Sequence, residues 1–330
     1  MAVSARPITP APNEVKLVDD SIVFGDGLAS VSLQRTLRVP ETGSHALPPG
    51  LGDFPIRALD TTAAPASMTA RGGAMVPIYQ REAMWISLGS SEPIAMQIAT
   101  GLVCAVTGQP LTDKLSRNPQ NYVCLPDQPW LDGFKSGDGR IRQFVAARLG
   151  DGATVEEQLV DRPVVGGLQL RAFRLRPKAL EAWHEQWGHY GDGDVLFCMS
   201  SPMMEADAMG LGAGGEIQQE LYPDDRPLSD WCTEPIGQIW LHLVGAGQWR
   251  ALTGSTPPPT PVTAEEYDAH GLPWFDYYDA DRGDLPTSSE LASIRTVGDV
   301  LGEEDDATAT PAYVVQLGDR RPRGIDAGDW

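Results

Sequence analysis

Leu33-Gln34-Arg35-Thr36-Leu37-Arg38-Val39-Pro40 and Leu168-Gln169-Leu170-Arg171-Ala172-Phe173-Arg174 share one short pattern, a Leu-Gln start running into apolar and cationic residues. Leu33, Leu37 and Val39 keep a period near two, and Leu168, Leu170 and Ala172 do the same, which reads as a half-buried strand in each case. Four more tracts recur in the same order. Gly72-Gly73 precedes a stretch ending at Tyr79, as Gly214-Gly215 precedes one ending at Tyr222. Trp85-Ile86-Ser87-Leu88 resembles Trp240-Leu241-His242-Leu243, and Ala105-Val106-Thr107-Gly108 resembles Ala251-Leu252-Thr253-Gly254. Pro129-Trp130-Leu131-Asp132 resembles Pro273-Trp274-Phe275-Asp276. Spacing between partners runs from 135 residues (Gln34 to Gln169) to 155 (Trp85 to Trp240). Insertions in surface loops absorb such variation at little cost. A repeated order of this kind points to two copies of one module.

Outward from that echo, the chain reads as β-rich. Strand candidates fall at Met75–Tyr79, Met84–Leu88, Ala95–Val106, Tyr122–Leu125, Ile141–Leu149, Thr154–Leu159, Leu168–Leu175, Val195–Met199, Glu216–Tyr222, Gln238–Val244, Gln248–Leu252 and Val314–Leu317. Helices are few. Pro177 suits a first helical turn, and Leu180, Trp183 and Trp187 then fall on one face. Thr263 with Glu266, and Thr287 with Glu290, have capping-box spacing. The expectation is an α+β, β-rich fold of two duplicated, pseudo-symmetric β modules, residues 20–150 and 155–285. A flexible arm (1–19) precedes them, and a short helix with an acidic tail (286–330) follows.

Composition bounds the function classes. The chain has 330 residues, 42% hydrophobic, with a net charge of −20 and a pI of about 4.5. That is enough for a substantial core, and the acidic balance disfavours nucleic acid and anionic lipid as partners. The start of the chain has no pattern of a charged stretch followed by an apolar one, and the longest nearly apolar run, Pro93 to Val106, is shorter than a bilayer span. Cys104, Cys124, Cys198 and Cys232 form no CxxC and read as reduced, mostly buried thiols. A cytoplasmic protein without membrane insertion is expected.

Chemistry is sparsely signalled. The two PWxD tracts place Trp130 with Asp132, and Trp274 with Asp276, as rings beside carboxylates, an arrangement suited to a sugar or a cation. The favoured reading of the same residues is that the rings are core anchors and the carboxylates cap nearby turns. Asp279, Asp281, Asp284 and Glu290 approach the ligand spacing of a calcium loop, although Gly283-Asp284 reverses the order that such a loop uses. Gly210-Leu211-Gly212-Ala213-Gly214-Gly215 matches a dinucleotide fingerprint in letters only, since a strand-like run follows it, and a flexible turn explains it. His184 and His189 are five apart, off the spacing for two ligands on one helix face, so no zinc set emerges.

Asp127-Gln128-Pro129-Trp130-Leu131-Asp132-Gly133-Phe134, Arg142-Gln143-Phe144-Val145-Ala146, Thr154-Val155-Glu156-Glu157-Gln158, Gly166-Gly167-Leu168-Gln169 and Gly271-Leu272-Pro273-Trp274-Phe275-Asp276 together resemble an uncharacterised group of bacterial and fungal proteins. The resemblance spans about residues 30 to 280 and implies one stable unit there, with no substrate, cofactor or catalytic residue. The sequence is thus consistent with a soluble, non-catalytic binding or assembly protein, needing no cofactor, for an unknown protein or small-molecule ligand. Two other readings are a hydrolase using paired carboxylates on a glycan, with Asp132, Asp276 or Asp279 as candidates, and a calcium-dependent binding module.

Overall fold

A computed structural model describes residues 14–187, 208–261, 274–277, 283–302 and 314–317, with backbone alone at 187, 275–277 and 314–317. In chain order the elements begin with β1 (Val15–Val18), β2 (Ser21–Phe24), β3 (Ala29–Thr36), β4 (Ser44–His45), β5 (Gly50–Asp53), β6 (Arg57–Ala58), α1 (Ala66–Thr69), β7 (Ala74–Ile78), β8 (Ala83–Ser90) and β9 (Ile94–Thr100). They continue with β10 (Val103–Cys104), β11 (Val123–Leu125), β12 (Trp130–Leu131), β13 (Gly133–Gly137), β14 (Arg140–Arg148), α2 (Val155–Leu159), β15 (Leu168–Arg174), α3 (Pro177–Trp187) and β16 (Ala208–Gln218). The last are β17 (Gly237–Gly245), α4 (Ala246–Thr253), β18 (Trp274–Tyr277), α5 (Ser289–Ala292), α6 (Val297–Leu301) and β19 (Val314–Leu317). The fold is β-rich α+β, with short helices around a mostly antiparallel sheet.

Strands β1 to β17 belong to one hydrogen-bonded sheet, and β18 pairs with β19 in parallel. The spans 20–150 and 155–285 do not each close a sheet of their own. β14 lies between β8 and β16, β15 between β9 and β17, and β17 takes β7 on its far side in parallel. The echo nevertheless has a spatial trace. Gln34 stands opposite Trp85 across β3 and β8, and Gln169 stands opposite Trp240 across β15 and β17. The other echoed tracts diverge: Ala105–Gly108 is a loop, whereas Ala251–Thr253 ends α4 at Gly254, whose φ is 73°.

Alternation along β3, β8, β9, β15 and β17 turns Leu33, Ile86, Ile98, Leu168, Leu170 and Leu241 inward to a shared main core. A second cluster joins Leu37, Val39, Leu47, Ile141, Ile217 and Trp274. As Pro177 implies, α3 begins there, and its Leu180 and Trp183 pack beside Tyr122, Phe173 and Trp231.

Several expectations are corrected. Within the span expected as an arm, Val15–Val18 is a strand paired with β2, and residues 1–13 lie outside the described residues. Thr154–Leu159 is helical: the Thr154 hydroxyl accepts from the Glu157 N–H, and Glu157 accepts from the Thr154 N–H, a complete capping box. Gln248–Leu252 lies in α4 rather than a strand. The Gly210–Gly215 tract is the interior of β16, not a turn. Its glycines admit neighbouring backbone, since a Cβ on Gly215 would lie 1.9 Å from the Pro40 carbonyl oxygen and one on Gly212 2.4 Å from that of Ala153. Ser288, not Thr287, caps α5, and α6 carries its own box from Thr296 and Asp299. The Ala95–Val106 run is broken into β9 and β10 by a turn at Gly101, whose φ is 54°. Val195–Met199 and the Thr263–Glu266 tract lie outside the described residues.

Candidate functional site

The first hairpin forms one wall of a cleft. Val15–Val18 and Ser21–Phe24 pair antiparallel around Asp19 and Asp20, whose φ values of 44° and 60° give the doubly left-handed turn that two-residue hairpins favour. Asp tolerates that region better than most residues. The turn is tied down at once. The Asp20 carboxylate accepts from the Ile56 N–H at 3.0 Å and pairs with Arg57. At the other end of the strand, the Glu14 N–H donates to the Ile236 carbonyl at 3.0 Å, so β1 leaves β17 from a common point.

From there the two strands diverge. β7 joins β17 only from Leu241 onward, and β6 joins β7 through Ala58 opposite Ala74. A triangular opening is left between β1, β17 and the β6–β7 base, and within it lies a cleft of about 900 Å³. Val15, Leu17, Ile56, Leu170 and Ile239 supply its apolar lining. Asp19, Asp20, Asp60, Arg57, Arg71 and Arg171 supply its charges. The hairpin register makes the even positions of β1 face β2, as the Gly25 N–H to Glu14 carbonyl bond also requires, so the backbone groups of Val15 and Leu17 face the opening.

The cationic wall is built on β17 and the loop before β7. Gly73, at φ 100°, abuts Trp240 so closely that a Cβ would sit 2.0 Å from the Trp240 carbonyl oxygen. This places Arg71 over the indole, its guanidinium carbon 5.5 Å from the ring centroid. On the same side the His242 ring stacks on Trp240 at 6.1 Å, and its Nε2 meets the Gly72 carbonyl at 3.0 Å. Burial, with Arg71 adding to it, pushes the His242 pKa down, so the neutral ring with its proton on Nε2 suits that contact. The Trp240 indole N–H is buried without a hydrogen-bond partner, held above Gly167. Arg57 and Arg171 are paired, with Asp20 and Asp113 respectively. Among the described residues Arg71 has no carboxylate partner.

The residues singled out from the sequence lie elsewhere. Trp130 and Trp274 share the second apolar cluster: Trp274 is 1% exposed within it, and Trp130 is half-buried against it. Asp132 is buried, and it is locked to Gln219 by two bonds, its N–H to the Gln219 Oε1 at 3.0 Å and the Gln219 Nε2 to its carboxylate at 2.7 Å. Burial pushes its pKa up to about 7. These two tryptophans and Asp132 do not line the cleft: Trp274 and Asp132 are buried in the interior, and Trp130 packs half-buried against the second cluster. Asp276 sits in β18 opposite Gln316, and its side chain lies outside the described residues, as do Asp279 and Asp281. Asp284 pairs with Lys135 and accepts from the Leu221 N–H, and Glu290 lies in α5. Among the described residues no three His, Cys, Asp or Glu side chains are grouped to hold a metal. Cys104 and Cys124 are buried and Cys232 half-buried, all as free thiols, and Cys198 lies outside the described residues. Among the described residues no helix is long and apolar enough to cross a membrane.

Sequence reasoning missed the cleft, whose walls come from five separated stretches. Six of its residues, Gly72, Gly73, Gln169, Leu170, Arg171 and Trp240, belong to the echoed tracts, which was the available signal. Comparison with protein-family models, with curated proteins and with solved structures found no match for the chain.

Proposed function

We propose that this is a non-catalytic binding protein and that the cleft between the first hairpin and β17 seats its ligand. The observation that carries the reading is the pairing of an apolar lining with a cation that has no carboxylate partner among the described residues: Arg71 lies on Trp240, lining a space of about 900 Å³, within the range of ligand pockets. A ligand with an apolar body and an anionic group matches that lining. Its body covers Val15, Leu17 and Ile239, and its anion reaches Arg71.

A thermal-shift screen of carboxylates, sugars, nucleotides and peptides tests this, run on the native chain and on Asp60→Trp, which fills the cleft from its exposed rim. A ligand that binds the folded state raises the melting temperature. The reading expects such a ligand, with its effect lost in Asp60→Trp. Stabilisation that survives in Asp60→Trp overturns the assignment of the site.

A further inference from the structure

Lysine is scarce in this chain. Lys16, Lys114, Lys135 and Lys178 are the lysines among 25 Lys and Arg residues. Arginine is the usual choice for a buried ion pair, because it stays charged and grips a carboxylate with two N–H groups. Among the described residues Lys135 is nevertheless the cation enclosed completely, at 0% exposure. An ammonium differs from a guanidinium in one chemical respect: it can lose a proton and become a nucleophile.

Lys135 lies in β13, and its Nζ meets Oδ2 of Asp284, 149 residues further along the chain. Asp284 is anchored through both oxygens. The Leu221 N–H donates to Oδ1 at 2.9 Å, and the Gly139 N–H donates to Oδ2. The next residue, Leu285, is buried in the main core, and its N–H donates to the Leu221 carbonyl at 2.8 Å, so the backbone beside the carboxyl is held as well. Groups kept in contact in this way react as if at very high concentration, about 10⁵–10⁸ M in well-oriented intramolecular reactions.

The interior also shifts the balance of that reaction. In water an ammonium and a carboxylate are well solvated, and condensing them to an amide is unfavourable. Enclosed, both charges lose that solvation. Burial draws the Lys135 pKa down against the opposing pull of Asp284, Asp138 and Glu220, which favours the uncharged amine. An amide has no charge to solvate, and it keeps an oxygen for the Leu221 N–H.

We infer that Lys135 and Asp284 condense after folding into an intramolecular isopeptide bond, Nζ to Cγ, which ties β13 to the chain leading into α5. The ion pair is the state before condensation, and the steps balance without a co-reactant. The ammonium passes one proton to Oδ2 across their contact. The amine attacks Cγ, and the Leu221 N–H steadies the charge that gathers on Oδ1. A second Nζ proton goes to Oδ2, the Cγ–Oδ2 bond breaks, and that oxygen leaves as water. Nothing is oxidised or reduced. The new bond closes a loop spanning 149 residues, which restricts the unfolded chain.

The test is the mass of the full chain, purified folded and measured after denaturation. The expected mass is one water below that of the sequence, with or without Met1. Trypsin is expected to leave the chain uncut after Lys135 and to release a fragment that joins it to Asp284. Lys135→Arg keeps the cation but cannot condense, and is expected at its full sequence mass, whether or not it folds. Mass is the readout rather than stability, because losing either partner destabilises the chain with or without the bond. A native chain at its full sequence mass overturns the inference. So does a missing water that maps elsewhere, such as to a cyclised Asp26-Gly27 step, or one that persists in Lys135→Arg.

Discussion

Gln169 stands opposite Trp240 just as Gln34 stands opposite Trp85, and both pairs lie half-buried on the side of the sheet away from the main core. One tryptophan is covered: Gly50 of β5 lies against Trp85, with its missing Cβ 3.2 Å from the ring. The other carries Arg71 at the margin of a cleft. A shared local pairing thus lies under a covering strand in one place and at the margin of a cleft in the other.

The Arg71–Trp240 contact is open to a double-mutant cycle. Arg71→Gln, Trp240→Phe and the double variant are expected to show a coupling of about 0.5–1 kcal/mol in denaturant unfolding, the range for an exposed cation over an aromatic ring. Additive effects would show that the guanidinium is not held on the indole.

Asp132 gives a pH signature. Its folded pKa of about 7 stands above the ordinary 3.8, so the native state favours the protonated acid. Its contribution to stability is therefore complete below about pH 4 and is lost as pH rises through about 7. Asp132→Asn keeps an acceptor for the Gln219 amide and removes the titration. Chemical unfolding from pH 4 to 8 should find the variant gaining on the native chain with rising pH and levelling off above neutrality. A constant difference across that range would contradict the account.

Lys135 is fully buried and meets Asp284, itself mostly covered. Burial pulls the Lys135 pKa down and Asp284 opposes that pull. Asp284→Ala leaves a buried ammonium without its carboxylate and is expected to cost about 3–5 kcal/mol. Lys135→Met combined with Asp284→Asn should recover much of that loss, as calorimetry or urea midpoints would record. Equal damage in both variants would place the cost in the Leu221 and Gly139 bonds to Asp284 instead.

Glu156 holds three strands of chain together. Its carboxylate accepts from the N–H groups of Leu102 at 3.1 Å, Val165 at 3.1 Å and Gly166 at 2.8 Å. Glu156→Ala strands these donors and should cost about 3 kcal/mol or more, at about 1–3 kcal/mol for each group left unpaired. Gly101→Ala should be damaging for the same reason, since its Cβ would lie 2.0 Å from the Glu156 carboxylate at a φ of +54°. Urea unfolding of each variant measures both losses.

Much of the sheet was legible because alternation is a strong local signal. The Met84–Leu88, Ile141–Leu149, Leu168–Leu175 and Gln238–Val244 tracts are strands within a residue or two of their expected limits. Thr154–Leu159 and Gln248–Leu252 were misread because each is a short helix fixed by its ends: a capping box at Thr154, and Gly254 closing α4. The β16 glycines look like a turn in the sequence because their purpose, admitting the backbone of Pro40 and Ala153, is tertiary. Trp130, Asp132 and Trp274 attracted notice as a site, but bulky and polar groups of this kind also anchor interiors, and burial separates the two roles. The cleft depends on which strand edges stay unpaired, a property of the assembled sheet that no single tract carries.

Amide hydrogen exchange at Val15 and Leu17, with and without a saturating ligand from the thermal-shift screen, tests the binding cleft most directly. Exposed edge amides exchange quickly and become protected when a ligand covers them. The account predicts protection that appears on this edge and fails in Asp60→Trp. Exchange that stays unchanged when the ligand is bound would contradict it.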